Sequence, residues 1–314
     1  MSEQQTRYAD LPLADGGARS GWGAFGAEDE VGTISRLTPA RVREAARLVR
    51  TGDVFPLNAP LDEFDPPLFG RAPLSRTIRR AQGGLGLDDV YHDFNPQASS
   101  QWDGLGHFAF KEDVFFNGAS LAEVEAGRNG IEAWATRGIV GRGVLLDLWE
   151  SASKSYDPGS SHTFGPEDLE AARNAAGVEH RPGDILLLRT GFLNWYRSLD
   201  RSGREKLADK TALRACGLEH TERMASYLWD LELAAVVADN PSLEVWPLQR
   251  EEWPFGALHH VLIAQFGMAI GELWDIEALA AACQADGRHE FLLTSAPLHA
   301  RGGFGSTANA LAIK

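Results

Sequence analysis

The chain has 314 residues, 44% of them hydrophobic, enough to bury a core in one large domain or two small ones. Its formal net charge of −14, without a Lys/Arg cluster, argues against nucleic acid or an anionic membrane as partner, since both select basic faces. Two distant cysteines, Cys216 and Cys283, make no disulfide framework or C-x-x-C metal pattern, and the polar N-terminus MSEQQTRYADLPLADGG has no apolar signal core, so a reducing cytoplasm is the expected compartment.

Residues 1 to 20 are polar and Gly-rich and read as an arm that packs on a partner or stays loose. Residues 21 to 314 read as one domain, because no linker, repeat or low-complexity tract interrupts them. Thr38 as N-cap and Pro39 at the first helical position open a helix whose apolar stripe runs to about Val49, stops at Gly52 and leads into a strand over 54–57. Residues 60 to 90, rich in Pro, Gly and Arg, read as a long irregular connection of the kind that shapes substrate access. The stretch SLAEVEAGRNGIEAWATRG predicts short helical pieces with glycine breaks. GVLLDL and DILLLRTG read as buried strands around a helix in GPEDLEAARNAAG, and the helical GLEHTERMASYLWDLE leads into a strand, LAAVVAD, ending at Asp239. Helices alternating with buried apolar strands predict an α/β fold, in which functional residues gather at strand ends.

The segment YHDFNPQASSQWDGLGHFAF, residues 91 to 110, concentrates Gln97, Gln101, Asp103 and His107. Donors at i, i+4 and i+6 converge on one ion if a single turn runs into an extended piece. Asp103 would supply an anionic oxygen and the Gln carbonyls neutral ones, while Ala98, Ser99 and Ser100 let the backbone pass close by. Oxygen-rich donors without a thiolate suit a hard or borderline divalent cation, manganese or zinc rather than copper or an iron–sulfur cluster. By spacing alone, the two glutamines would serve equally as a solvated face or a polar cap.

The same residues resemble the signature of the cyclase family of metal-dependent hydrolases, which includes bacterial kynurenine formamidase and isatin hydrolase. Its pattern, H-x-G-T-H-x-D-x-P-x-H, reads here Gln97-Ala98-Ser99-Ser100-Gln101-Trp102-Asp103-Gly104-Leu105-Gly106-His107. Asp103 and His107 match in register. Gln97 and Gln101 replace two histidines, as in the Q-x-x-x-Q-x-D variant of the trans-dienelactone hydrolases, which puts a formamidase of the tryptophan pathway in doubt. Asp239-Asn240-Pro241-Ser242 resembles the family's D-x-P-S turn, and LHHVLIAQFGMAIGELWDIEALA its H-x-x-L-L … G-I … E stretch. Glu272 matches the Glu. His259 is the preferred His, because Leu262 and Ile263 follow at +3 and +4, whereas His260 gives the His-to-Glu interval of the formamidases. The ending with Gly302, Gly303 and Gly305 looks like G-G-x-G-S-P, with Thr307 in place of Pro, and reads as a tight turn near the pocket rather than a phosphate loop.

The resemblance implies a swivelling β/β/α fold, a mixed β-sheet with flanking helices, in a homodimer or homotetramer. It implies a divalent ion held by Gln97, Gln101, Asp103, His259 and Glu272, with His107 as general base and acid. Trp22 would face the substrate near the entrance, although by residue type it reads more simply as a core or interface aromatic. The expected activity is hydrolysis of an amide, formamide or lactone in a small carboxylated or aromatic molecule. Neutral Gln donors in place of imidazoles tilt the expected metal toward Mn2+ over Zn2+. No G-x-S-x-G elbow, Cys–His motif or further carboxylate pair supports a serine, cysteine or glycosidase route. The rival from another class is a ligand-binding protein that keeps the pocket without turnover.

Overall fold

The computed structural model describes residues 6 to 314. Thirteen strands lie among them: β1 (Val54–Pro56), β2 (Ser75–Arg80), β3 (Leu87–His92), β4 (Gln101–Asp103), β5 (Ile139–Asp147), β6 (Thr163–Phe164), β7 (Ile185–Arg189), β8 (Gly217–Leu218), β9 (Ala235–Ala238), β10 (Ala269–Glu272), β11 (Glu290–Ser295), β12 (Gly305–Thr307) and β13 (Ala310–Ile313). Nine form one mixed sheet in the order β1-β13-β11-β5-β7-β9-β10-β4-β12. Its centre, β5-β7-β9-β10, is parallel, and every pairing outside it is antiparallel. The apolar runs ILLLR of β7 and AVVA of β9 are buried along their whole length, as parallel strands covered on both faces require. This is the mixed α/β architecture that the apolar runs and intervening helices predict.

The helices follow their local signals. Thr38 accepts from Arg41 N and Pro39 opens the helix Pro39–Ala46, which packs on β5 and ends one turn before the expected Val49. Pro166–Ala176 also packs on β5 and stops at Gly177, in the left-handed conformation that glycine adopts most readily. Thr221 caps Glu222–Asp230. No described helix is long and apolar enough to cross a membrane.

Two regions differ from the sequence reading. Of the expected arm, residues 1 to 5 lie outside the described residues, while residues 6 to 20 pack on their own chain. Tyr8 is buried against Phe266, its backbone N–H donating to Asp230 and its hydroxyl to Glu222. Within the segment read as irregular, β2 and β3 form a separate antiparallel hairpin with every residue but Val90 exposed. Neither strand buries an alternating face inside the chain, so the usual strand signal is missing.

Candidate metal centre

Strand β4 is three residues long and fully buried, so Gln101 and Asp103 share one face while Trp102 turns to the other, where its indole donates to Ser295 Oγ at 2.9 Å. Antiparallel pairing sets Gln101 opposite Glu272, the last residue of β10. Strand β9, parallel to β10, ends beside it and runs into the turn Asp239-Asn240-Pro241-Ser242. The site thus gathers at the carboxyl ends of the central parallel strands, where α/β sheets open their crevices. His259 comes from the short buried helix Leu258–Leu262.

Asp103, His259 and Glu272 offer ligand atoms that all lie within 4.8 Å of one another. His259 Nε2 stands 3.5 Å from Asp103 Oδ2 and 3.1 Å from Glu272 Oε1. Both of those oxygens are buried and make no hydrogen bond. Their sister oxygens are held: Gln97 Nε2 donates to Asp103 Oδ1 at 2.5 Å, and Gln101 Nε2 donates to Glu272 Oε2 at 2.5 Å. Each glutamine therefore takes one oxygen of a carboxylate and turns the other toward His259. Gln97 needs Gly305 behind it, since a Cβ there would lie 2.7 Å from the Gln97 amide carbon.

The charges are strongly coupled. Burial alone would raise the Asp103 carboxyl, but His107, His259 and the Gln97 amide outweigh it and hold it below the usual carboxylate range. Glu272 is pushed up from the usual carboxylate range by burial and by the Asp103 charge beside it. For His259, burial opposes the charged form, yet Glu244, Asp103 and Glu272 prevail and raise it well above the usual histidine range. Three carboxylates around one imidazole favour a proton there, and by the same field a divalent cation in its place. Orphaned carboxylate oxygens and an imidazole nitrogen converging in a buried centre fit such an ion.

Each expected site residue has a definite place. Asp103, His259 and Glu272 come together. Gln97 and Gln101 adjoin them through amide nitrogens, and Gln101 Oε1 stays buried without a partner. His260 turns away to Ala109 O at 2.7 Å. His107 borders the centre, its Nε2 3.7 Å from Asp103 Oδ1, and burial lowers its pKa and favours neutral imidazole. Trp22 is not brought to the centre: its indole donates to Ala264 O at 2.7 Å and the ring lies beside Gly118.

Sequence reasoning missed Glu244, whose two oxygens each lie 2.8 Å from His259 Nδ1. It also missed the walls of the cleft above the centre, a space of about 210 Å³ bordered by Phe69, Arg71, Phe108, Lys210, Trp246 and Arg250. Glu244 stands two residues beyond the D-x-P-S turn, the one signal that could have found it. Arg71 lies in a segment with no motif.

Residues 50–245, more than half of the chain, match the Cyclase family model. A crystal structure described as a novel cyclase is 32% identical, with a TM-score of 0.83 over 94% of this chain and 99% of that one. Isatin hydrolase A from Labrenzia aggregata, bound to benzyl benzoate, is 18% identical, with a TM-score of 0.59 over 85% of this chain and 94% of that one. Isatin hydrolase A from Ralstonia solanacearum is also 18% identical, with a TM-score of 0.57 over 88% and 97%. At that identity the likeness to the isatin hydrolases is one of fold. No protein among the curated sequences matches. From the family model and the 32% identical cyclase spanning nearly all of both chains, the chain belongs to the cyclase family.

Proposed function

We propose that the protein is a divalent-metal-dependent hydrolase of an amide, formamide or lactone bond in a small molecule. The observation that carries this reading is the pair of unbonded, buried oxygens, Asp103 Oδ2 and Glu272 Oε1, converging on His259 Nε2 at the floor of an open cleft. Fold neighbours named as isatin hydrolases support hydrolysis as the reaction class.

An ion held by Asp103, His259 and Glu272, Mn2+ or Zn2+, would polarise a carbonyl and make a water acidic enough to yield hydroxide near neutral pH. Gln97 and Gln101 keep the two carboxylates turned to the centre, and Gln101 Oε1, buried without a hydrogen-bond partner, would be a further donor to the ion. His107 moves the proton. Its neutral ring accepts from the attacking water, Asp103 Oδ1 steadies the imidazolium, and the proton passes to the leaving nitrogen or oxygen. The water oxygen bonds to the acyl carbon, the C–N or C–O bond breaks, and a carboxylate leaves with an amine or alcohol. The protein acts as a homo-oligomer in a reducing cytoplasm, a setting that suits the unpaired, buried Cys216 and Cys283.

The test is elemental mass spectrometry with a panel of formamides, lactones and cyclic imides after manganese or zinc addition. Wild type should carry metal and turn over a panel member, and Asp103→Ala should lose both. His107→Ala should keep its metal and lose roughly 10²- to 10⁴-fold in rate. No metal under any loading condition would sink the hydrolase and leave a ligand-binding protein. Full activity in His107→Ala would remove that residue from the mechanism.

A further inference from the structure

Several buried or half-buried arginines of this chain are matched by carboxylates. Arg142 pairs with Asp184 and Glu290, Arg189 with Asp147 and Glu277, and Arg197 with Glu63 and Asp275. The three cations bordering the cleft are different. Among the described residues, no Asp or Glu stands within ion-pair distance of Arg71, Lys210 or Arg250. The carboxylates of the centre, Asp103, Glu244 and Glu272, are turned to His259, so the three cations line the opening without an ion-pair partner of their own.

Arg71 lies deepest. Its Nη1 is buried without a hydrogen-bond partner, and its guanidinium lies 5.2 Å from the Phe69 ring centroid. Burial disfavours its charge more strongly than Asp103 and Glu272 together favour it, so the group is held without full compensation. Lys210 lies 5.5 Å from the Trp246 centroid, across an aromatic wall. Rings flank both cations, and Arg71 keeps a buried N–H donor without an acceptor. A guanidinium fork is matched in shape and charge by a planar carboxylate.

We propose that the cleft takes an anionic substrate, a planar ring compound bearing a carboxylate, and that Arg71 binds that carboxylate while the scissile carbonyl faces Asp103, His259 and Glu272. This substrate class rests on the hydrolase reading above, and Arg71 is its specificity-determining residue. Phe69, Phe108 and Trp246 supply flat apolar walls for the ring. Lys210 and Arg250, nearer the mouth, attract the anion and favour its capture.

The test is isothermal titration calorimetry of the full chain, as purified and with metal content checked, against benzoate and its neutral counterpart benzamide. Wild type should bind benzoate roughly tenfold or more tightly than benzamide. Arg71→Gln should lose on the order of tenfold for benzoate and stay within about twofold for benzamide, which also reports an intact cleft. Arg71→Lys, which keeps the charge without the fork, should fall between. Equal affinities for the two probes, or equal losses for both in the variants, would overturn the proposal. The readout does not depend on turnover. An Arg71-dependent preference in a protein that hydrolyses nothing would sink the hydrolase and spare the anion site, whereas hydrolysis without that preference would do the reverse.

Discussion

His259 keeps Nε2 in the centre because its Nδ1 is taken by both oxygens of Glu244, a carboxylate with no exposed surface. Such a partner fixes the tautomer and makes the opposite nitrogen a stronger donor. Glu244→Gln, nearly isosteric, should therefore lower metal affinity by roughly 10- to 100-fold with the fold retained, as read by competition with a chelator. Unchanged affinity would show that His259 needs no support from Glu244. The contrast between Glu244 and its neighbours marks what the sequence could disclose. Asp103, His259 and Glu272 were legible because the resemblance to one family pattern names them together. Glu244 was not, because contacts distant in the chain specify it. A Cβ at Gly217 would lie 2.3 Å from the Glu244 carbonyl carbon, and Asn240 braces the turn by donating to Cys216 O and Leu243 O. The glutamines were legible as site residues, but not the amide nitrogens they turn to the carboxylates. That choice follows from pairing Gln101 with Glu272 across two strands.

Among elements, the strands read most clearly, because an unbroken apolar run such as ILLLR has no stable place but a sheet covered on both faces. The carboxyl end of β9 adds a strained charge to that pattern. Asp239 Oδ1 accepts from Thr190 N at 2.6 Å and Thr190 Oγ1 at 2.7 Å, while Oδ2 is buried with no partner. Burial pushes its pKa up to about 6, against the lowering pull of the Thr190 bonds. The folded chain then holds this proton more tightly than the unfolded chain. Stability falls as pH rises from about 4 to about 6, and a penalty of roughly 3 kcal/mol stands above that window. Asp239→Asn can keep Oδ1 as acceptor while removing the charge. In urea unfolding, wild type should gain up to about 3 kcal/mol on the variant as pH is lowered from 7 to 4. A difference that does not change with pH would show that Asp239 does not hold the proton.

At the scale of the molecule, the β2–β3 hairpin is the element least explained by its own chain. A two-stranded ribbon with nearly every residue in water is marginal by itself. The register puts Arg76, Ile78 and Arg80 on one face with their partners Tyr91, Asp89 and Leu87. Ile78, Leu87 and Tyr91 are 48%, 66% and 47% exposed. The face thus carries three apolar residues, with arginines along one strand and an aspartate on the other. Arg76 already pairs with Asp89 within the hairpin at 3.5 Å, so under a two-fold axis it is the apolar residues of two copies that would close together, the same patch serving both. Arg71 lies four residues before β2, so fixing the hairpin would also steady the cleft wall. Light scattering at micromolar concentration should therefore show a dimer or tetramer. Ile78→Asp combined with Leu87→Asp should dissociate it without lowering secondary-structure content, because neither side chain contributes to the buried core. A wild type that is monomeric, or a double variant that keeps the wild-type mass, would leave the hairpin exposed for another reason.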